Sequence, residues 1–560
     1  MFTAYVLFMN RLFTYILLTS IVIACHIETP QRPVSRFKFT PGNGCKAPCT
    51  ITFISESENG EAIWWDFGDG SDLQSGNPVT HEFTAAKSYQ VRLIVKGVEG
   101  GSSGFTQTVK IDEAAPIETF SLTGGYNFPT DILSDAKGNI YVSGTGRGKV
   151  EFGNGKTLNS ISNSDDFFVA KYNSSGQCQW LYTDGSDGED HANAIALDSS
   201  NNVYVTGFTS GRLARAGIIP TGSGFDGFVA KLNGVTGQSE WFKTFGGPLN
   251  DQGRSLAFFQ AGEGPKIYMT GTVEGDNLNG NIDFNGTTQT APNGRDGFLI
   301  ILDRDGNFGN PYMIHGPNIQ APETITVDDH GNAYIAGAFL QTIKFGNTNQ
   351  ELSSVDSVDV FVAKWGLIAR NFLWASRAGS SNVDFAYDIE LDKTYENIFV
   401  TGMHSGNIHE FENLLSSGDE NVYLGKWSVG GKAQIARNGF TDGGRDYHGG
   451  IARTSTGNIV IAGSFSGAAG RFPMTDASSV GGGGGTDIIL TEVEPGGLTR
   501  ASQFLVKDGG PTEDRVNKIC VTNTGYVYVA GWFYNNSTFN KVTVTGDNKE
   551  RNTFIARYKL

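Results

Sequence analysis

A strand ending in glycine recurs along this chain: NIYVSG to Gly144, NVYVTG to Gly207, KIYMTG to Gly271, NAYIAG to Gly337, NIFVTG to Gly402, NIVIAG to Gly463 and YVYVAG to Gly531. The steps are 63, 64, 66, 65, 61 and 68 residues. That period is too long for the shortest propeller repeats but suits four strands with generous loops. Three further elements accompany each glycine strand. Before it lies a run such as NAIALDSSN (193–201) or YDIELD (387–392), closed by an Asp/Asn/Gly turn. After it comes DGFVAKL (226–232) or a variant, and last an aromatic strand finishing near Gly-Gly, around Trp180, Trp241, Trp374 and Phe504. Four strands in each of seven units describe a seven-bladed β-propeller.

The chain ends support a closed ring. The seventh unit stops at FIARYKL, its third strand, and the missing aromatic strand stands before the first unit as IETFSLTGG (117–125). Phe120 precedes Gly125 by the same five residues that separate Trp241 from Gly246. The N-terminal strand is therefore expected to pair with the last blade, which removes the exposed sheet edges that invite aggregation.

Composition agrees with an all-β protein: 75 glycines and 12% aromatic residues, with 18% charged. A net charge of −16 offers no basic stripe for phosphates, so nucleic acid is excluded as a partner. Residues 12–24 form an apolar run of 13 residues, LFTYILLTSIVIA, ahead of Cys25. A bilayer-spanning helix needs about 20 such residues, so the run fits a signal peptide. The segment Val22-Ile23-Ala24-Cys25 resembles the bacterial lipobox, which implies lipidation of Cys25 and a membrane anchor, with Met9-Asn10-Arg11 as the more usual start. Residues 1–25 are read as signal and 26–34 as linker. Cys45 and Cys49 lie close enough for a local disulfide, while Cys178 and Cys520 fall in strand-like segments as buried thiols.

Residues 35–113 carry AIWWDFGDGSD (62–72) and a strand in which Tyr89, Val91, Leu93 and Val95 alternate with more polar neighbours. WDFGDGS, the following His-x-Phe and SYQVRLIV resemble the PKD domain, an immunoglobulin-like β-sandwich used as a spacer or weak binding module. The resemblance implies that Asp66 and Asp69 form turns. Residues 117–560 resemble SBBP repeats, seven-bladed β-propeller repeats of bacterial surface and secreted proteins, through the D-x-F-V-A-K, W…GG and D-x-x-G-N-x-Y-V-x-G blocks. The fifth and sixth units depart from the pattern with NVYLGKW (421–427) and DIILTE (487–492). Lipobox, PKD domain and propeller together resemble surface lipoproteins of Bacteroidetes-type bacteria. This implies an anchor in the outer membrane or at the cell surface.

Two columns of acids and amides repeat with the blades. One reads Asp166, Asp226, Asp296, Asp359, Asn421, Asp487, Asn552; the other Asn127, Asp190, Asp251, Gln320, Asp384, Asp446, Asp514. A general acid or nucleophile needs one special carboxylate, whereas an acceptor that is Asp or Asn in every blade caps turns. Calcium is the competing reading at Asp303–Asn307 and at Asp184–Asp190, because hard cations want clustered oxygens. Neither stretch completes a twelve-residue loop with a distal glutamate. The eight histidines show no paired-metal spacing. The G-x-S-x-G at Gly100–Gly104 lies between strands of the first domain, without a nucleophile elbow. GQCQW (176–180) and GQSEW (237–241) resemble the tail of the sialidase Asp-box but lack its preceding Ser-x-Asp.

The sequence thus predicts a non-enzymatic scaffold with no catalytic residue, metal or cofactor. A protein or glycan ligand is expected on the rim stretches 208–224, 272–295, 403–419 and 464–485. The competing expectation is a carbohydrate-active hydrolase or lyase at the channel. Two carboxylates about 5–9 Å apart there would mark the enzyme, and a lining of repeated small and aliphatic residues would mark the scaffold.

Overall fold

The computed structural model divides into two compact units, Met1–Ala115 and Pro116–Leu560. It describes residues 32–42, 45–46, 49–83, 87–97, 100–112, 119–217, 224–262, 264–275, 281–290, 294–411, 420–438, 446–466, 485–547 and 549–560. Cys25 and its preceding apolar run lie outside the described residues. Among those residues no helix is long and apolar enough to cross a membrane.

The first unit is a sandwich of two sheets. Phe37–Thr40, Cys49–Ser55 and Val79–Phe83 form one; Cys45–Lys46, Ser102–Asp112, Ser88–Gly97, Gly60–Asp66 and Gln74–Ser75 form the other. In Ser88–Gly97 the alternation read from the sequence is the alternation of burial. Tyr89, Val91, Leu93 and Val95 join Phe53, Trp65 and Phe67 in the core between the sheets. Asp66 and Asp69 make turns: Asp66 accepts the Gly68 N–H at 3.0 Å, and Asp69 accepts the Ser71 N–H at 3.0 Å and meets His81 Nε2 at 2.6 Å. Gly68 is required because its φ is +70° and a Cβ there would meet the Gln90 carbonyl oxygen at 2.7 Å. Cys45 and Cys49 are joined by a disulfide.

In the second unit the described residues form five four-stranded antiparallel sheets and one eight-stranded sheet that holds two further sets of four, the blades of a β-propeller. The second blade, for example, runs Asp190–Leu197, Val203–Thr209, Asp226–Leu232, Ser239–Phe245 from inside to outside. Each first strand packs against the first strands of both neighbouring blades, and the cycle closes where Asp514–Val521 meets Tyr126–Ser134. The degenerate fifth and sixth units still supply third strands, Asn421–Ser428 and Thr486–Glu494. The third and fourth blades are additionally fused by pairing of Ile314 with Phe345 and of His315 with Lys344. Ring closure is as the sequence predicted. Thr119–Ser121 adds to Asn552–Lys559, with Phe120 opposite Ile555.

The cores lie between blades, which explains why the third strands are apolar on both faces. Phe228, Ala230 and Leu232 pack with Phe167 and Trp180 of the first blade, while Val229 packs with Met269 and Phe298 of the third. The lysine ending FVAK is structural as well. Lys171 Nζ lies 5.1 Å from the centre of the Tyr141 ring and donates to the Gly234 carbonyl of the next blade at 2.8 Å. The fourth-strand tryptophans reach the same turns: Trp180, Trp241 and Trp374 donate Nε1–H to the carbonyls of Gly234, Arg304 and Val429 at 3.2, 3.1 and 2.9 Å.

One rim stretch carries regular structure. Within 272–295, Asn281–Phe284 and Thr287–Thr290 form a β-hairpin that bridges back to the preceding blade, Asp283 pairing with Gly246. The hairpins at 149–159 and 536–545 do the same through Glu151 to Thr123 and Thr538 to Gly509. These segments clasp neighbouring blades, since an isolated two-stranded ribbon is marginal in water and needs a surface to pack on. Residues 218–223, 412–419 and 467–484 of the other rim stretches lie outside the described residues.

Candidate functional site

The repeated glycine leads to the axis of the ring. Every first strand shifts register against its second strand at one place: between Pro129 and Asp131, Ala192 and Ala194, Gly253 and Ser255, Pro322 and Thr324, Ala386 and Asp388, His448 and Gly450, Val516 and Lys518. A bulge inserts one extra residue and re-aims its side chain. The bulge also explains the glycine opposite it. A Cβ on Gly207 would overlap the carbonyl oxygen of His191, and Gly271, Gly337, Gly402 and Gly531 stand in the same relation to Gln252, Ala321, Phe385 and Arg515. The sequence feature that counts the blades is therefore the imprint of the bulge.

The bulged register converges on a cavity of about 180 Å³ to which all seven first strands contribute. Its inserted residues are Thr130, Asn193, Arg254, Glu323, Tyr387 and Asn517, joined by Asp131, Lys518 and His448. The lining is not the run of small and aliphatic residues that would mark a scaffold; it is polar and charged. Which side chains the bulge turns inward had no sequence signal, because a polar residue in a strand looks the same whether it bulges or faces solvent.

Two ion pairs border the cavity. Lys518 Nζ meets Asp388 Oδ1 at 2.7 Å, and Arg254 meets Glu323 at 3.3 Å. Burial works against the Lys518 charge, but the carboxylates of Asp388 and Asp131 outweigh it and raise its pKa. Asp131 Oδ2 and Asp388 Oδ2 each accept a backbone N–H from the next blade, from Ile195 at 3.0 Å and Ile451 at 2.9 Å. Ser255 Oγ accepts the equivalent Ile325 N–H at 3.3 Å. Burial pushes Glu390 up to about 7, with Arg453 opposing, and pushes His448 down to about 4. The His448 and Tyr387 rings stack at 4.5 Å and 11°.

The two columns of acids meet at the blade junctions, each entry of the first column facing the next blade's entry of the second. A Cβ on Gly246 would lie 2.8 Å from both Asp226 Oδ1 and Asp251 Oδ2. Second-column aspartates also cap the turn entering their blade: Asp190, Asp251, Asp384 and Asp514 accept the backbone N–H of Ser186, Gly247, Ser380 and Gly510 at 2.6, 2.7, 2.7 and 2.6 Å.

In the two stretches weighed for calcium, the first aspartates accept backbone N–H groups. Asp303 Oδ1 accepts the N–H groups of Asp305 and Asn307 at 2.9 and 3.0 Å. Asp184 accepts those of Gly185, Arg215 and Ala216 at 3.0, 2.8 and 2.8 Å. Among the described residues only Asp328, Asp329 and His330 gather three ligand atoms within 4.8 Å. Of these, Asp328 is held in its own turn by Asn332. Cys178 and Cys520 are buried in one core, and burial pushes both thiols up to about 12. A second concavity, about 980 Å³, opens between the third and fourth blades beside Tyr312, His315, Lys344 and Arg370.

These features define a PKD domain followed by an all-β propeller with a charged axial constriction. The PKD domain family matches residues 32–112. Collagenase ColA of Clostridium perfringens is 32% identical over 93 residues, 16% of this chain and 8% of the collagenase. The chain thus spans a small fraction of that curated relative. Among solved structures, the PKD1 domain of Vibrio anguillarum Epp is 26% identical, covers 15% of this chain and all of its own (100%), with a TM-score of 0.14. A virginiamycin B lyase from Staphylococcus aureus is 9% identical over 78% of this chain and 98% of its own, with a TM-score of 0.37.

Proposed function

We propose that this chain is a non-enzymatic, lipid-anchored protein of the cell envelope, carried on the outer membrane or cell surface. Its propeller acts as the binding or scaffold disc for a protein or glycan, and its PKD domain as a spacer. The observation that carries this reading is the division of labour among repeat positions. The recurrent aspartates, lysines, tryptophans and glycines are engaged in holding blades together, and variation from blade to blade is left to surfaces that can select a partner. Cys25 would carry the lipid, and no cofactor enters the reading.

The test is a glycan array and a pull-down with the chain lacking its first 25 residues. Capture of a defined protein or glycan supports the scaffold, and turnover of a polysaccharide overturns it. The competing reading, a carbohydrate-active hydrolase or lyase, is favoured by the carboxylates Asp131, Glu323, Asp388 and Glu390 near the axis. Release of reducing ends or of an unsaturated sugar from a polysaccharide would establish it, and its loss in Glu323→Gln would place it there.

A further inference from the structure

One blade junction is built differently from its neighbours. In the first, second and fourth blades the third-strand lysine stands opposite the fourth-strand tryptophan: Lys171 and Trp180, Lys231 and Trp241, Lys364 and Trp374. Each of those tryptophans donates to a turn carbonyl of the following blade and so clamps the junction. In the third blade Ile301 takes the lysine's place, and no tryptophan stands between it and Gly316. The fourth-blade turn left without that clamp is Gly366–Arg370, closed by the Arg370 N–H on the Gly366 carbonyl. The concavity of about 980 Å³ opens beside it, lined by Tyr312 of one blade and Arg370 of the other.

Its lining is accessible and has little work in the fold. Arg370 is exposed, and among the described residues no group is hydrogen-bonded or ion-paired to its guanidinium. Lys344 Nζ meets Glu351 at 3.2 Å, with side chains 51% and 50% exposed, so these two charges cancel. The other carboxyl, Asp296, is buried, and that burial pushes it up to about 7, which withholds half its charge at neutral pH. Arg370 therefore leaves the cleft positive in a chain whose net charge is −16.

At about 980 Å³ the cleft lies at the upper end of ordinary ligand sites, roughly 300–1,000 Å³, and has room for a short oligomer. Gln289 and Asn347 bring amides to it, which donate and accept as sugar hydroxyls do. Tyr312 is partly exposed and is held by its ring contact with Trp365 at 5.1 Å, so it offers a fixed aromatic surface. The planar guanidinium of Arg370 suits the forked oxygens of a carboxylate or sulfate. We propose that this cleft binds an acidic oligosaccharide of about two or three sugar units, with its acid group on Arg370 and a sugar ring against Tyr312. The site rests on the binding reading above and narrows its ligand to an acidic glycan.

The experiment titrates trigalacturonate, a sulfated galactan trisaccharide and neutral cellotriose into the full chain by calorimetry. At least one acidic sugar should bind one-to-one, more weakly as salt is raised, and cellotriose should bind far more weakly than it. Arg370→Gln alters an exposed side chain with no partner to lose, and should weaken the acidic sugar about tenfold, equal to ~1.4 kcal/mol. Glu351→Gln frees Lys344 and should tighten the same sugar, an opposite sign that a merely structural role would not give. No binding by either acidic sugar, equal binding of cellotriose, or an affinity unchanged in Arg370→Gln overturns the proposal. Capture of a protein or another glycan, equal in wild type and Arg370→Gln, would then leave the scaffold reading standing and this site refuted. Cleavage of an acidic sugar that Arg370→Gln fails to bind would support the site and overturn the non-enzymatic reading.

Discussion

Gly207 lies directly beneath the carbonyl of His191, so that a Cβ at residue 207 would overlap that oxygen. One residue's lack of a side chain is thus what allows the innermost strand of the second blade to bulge toward the axis. Gly207→Ala should force that strand outward and destabilise the second unit by about 1–3 kcal/mol, the usual range for overpacking. Gly262→Ala, where a Cβ has open space around it, should be silent. Urea denaturation of the two variants compares them; equal midpoints would show that the close approach is not what selects the glycine.

The paired acids predict how the propeller responds to pH. Burial, the largest cause in each case, pushes Asp166 and Asp514 up to about 7 and Asp190 and Asp384 up to about 6. These values lie above the ordinary ~4 of an unfolded chain. The folded ring therefore holds protons that the unfolded chain has released. The resulting stability is complete below about pH 4 and is lost as pH rises through 6 to 7. Calorimetry should show the second unit melting at lower temperature at pH 8 than at pH 5. Asp514→Asn, which copies the amides at Asn127 and Gln320, should reduce the difference.

The first unit should respond with the opposite sign. Burial acts to raise the Asp69 carboxyl, but hydrogen bonds from Ser71 and His81 prevail and hold it at about 2. Its contribution is present above about pH 4 and lost as pH falls toward 2. Acid should therefore weaken the sandwich while the propeller keeps its protons. Asp69→Asn should remove most of this acid sensitivity, read as the shift in the first unit's melting temperature between pH 3 and pH 5.

Lys518 and Asp388 offer a test of the axial charges. Lys518→Met leaves Asp388 buried without its ammonium and should cost about 3–5 kcal/mol. Lys518→Met combined with Asp388→Ser should recover most of that loss, since Ser255 already accepts the equivalent N–H. A double-mutant cycle from chemical denaturation measures the coupling; strict additivity would mean the pair is not coupled.

Much of this molecule is written locally. The glycine period, the two-residue alternation, the turn chemistry of Asp303 and Asp69 and the displaced strand at Phe120 depend on neighbours within a few residues, so the sequence alone determined strand order, repeat number and ring closure. Even the two aspartate columns were visible as columns. Their meeting was not: Asp226 and Asp251 come together only because one blade's third strand stacks beside the next blade's first, and burial at that junction raises the affinity of Asp251 for protons. The charged axis was hidden altogether. Arg254, Tyr387, His448 and Lys518 come from four blades, and each reads as an ordinary strand residue. Only convergence of seven bulged strands on one axis turns them inward, a geometry that no local pattern encodes.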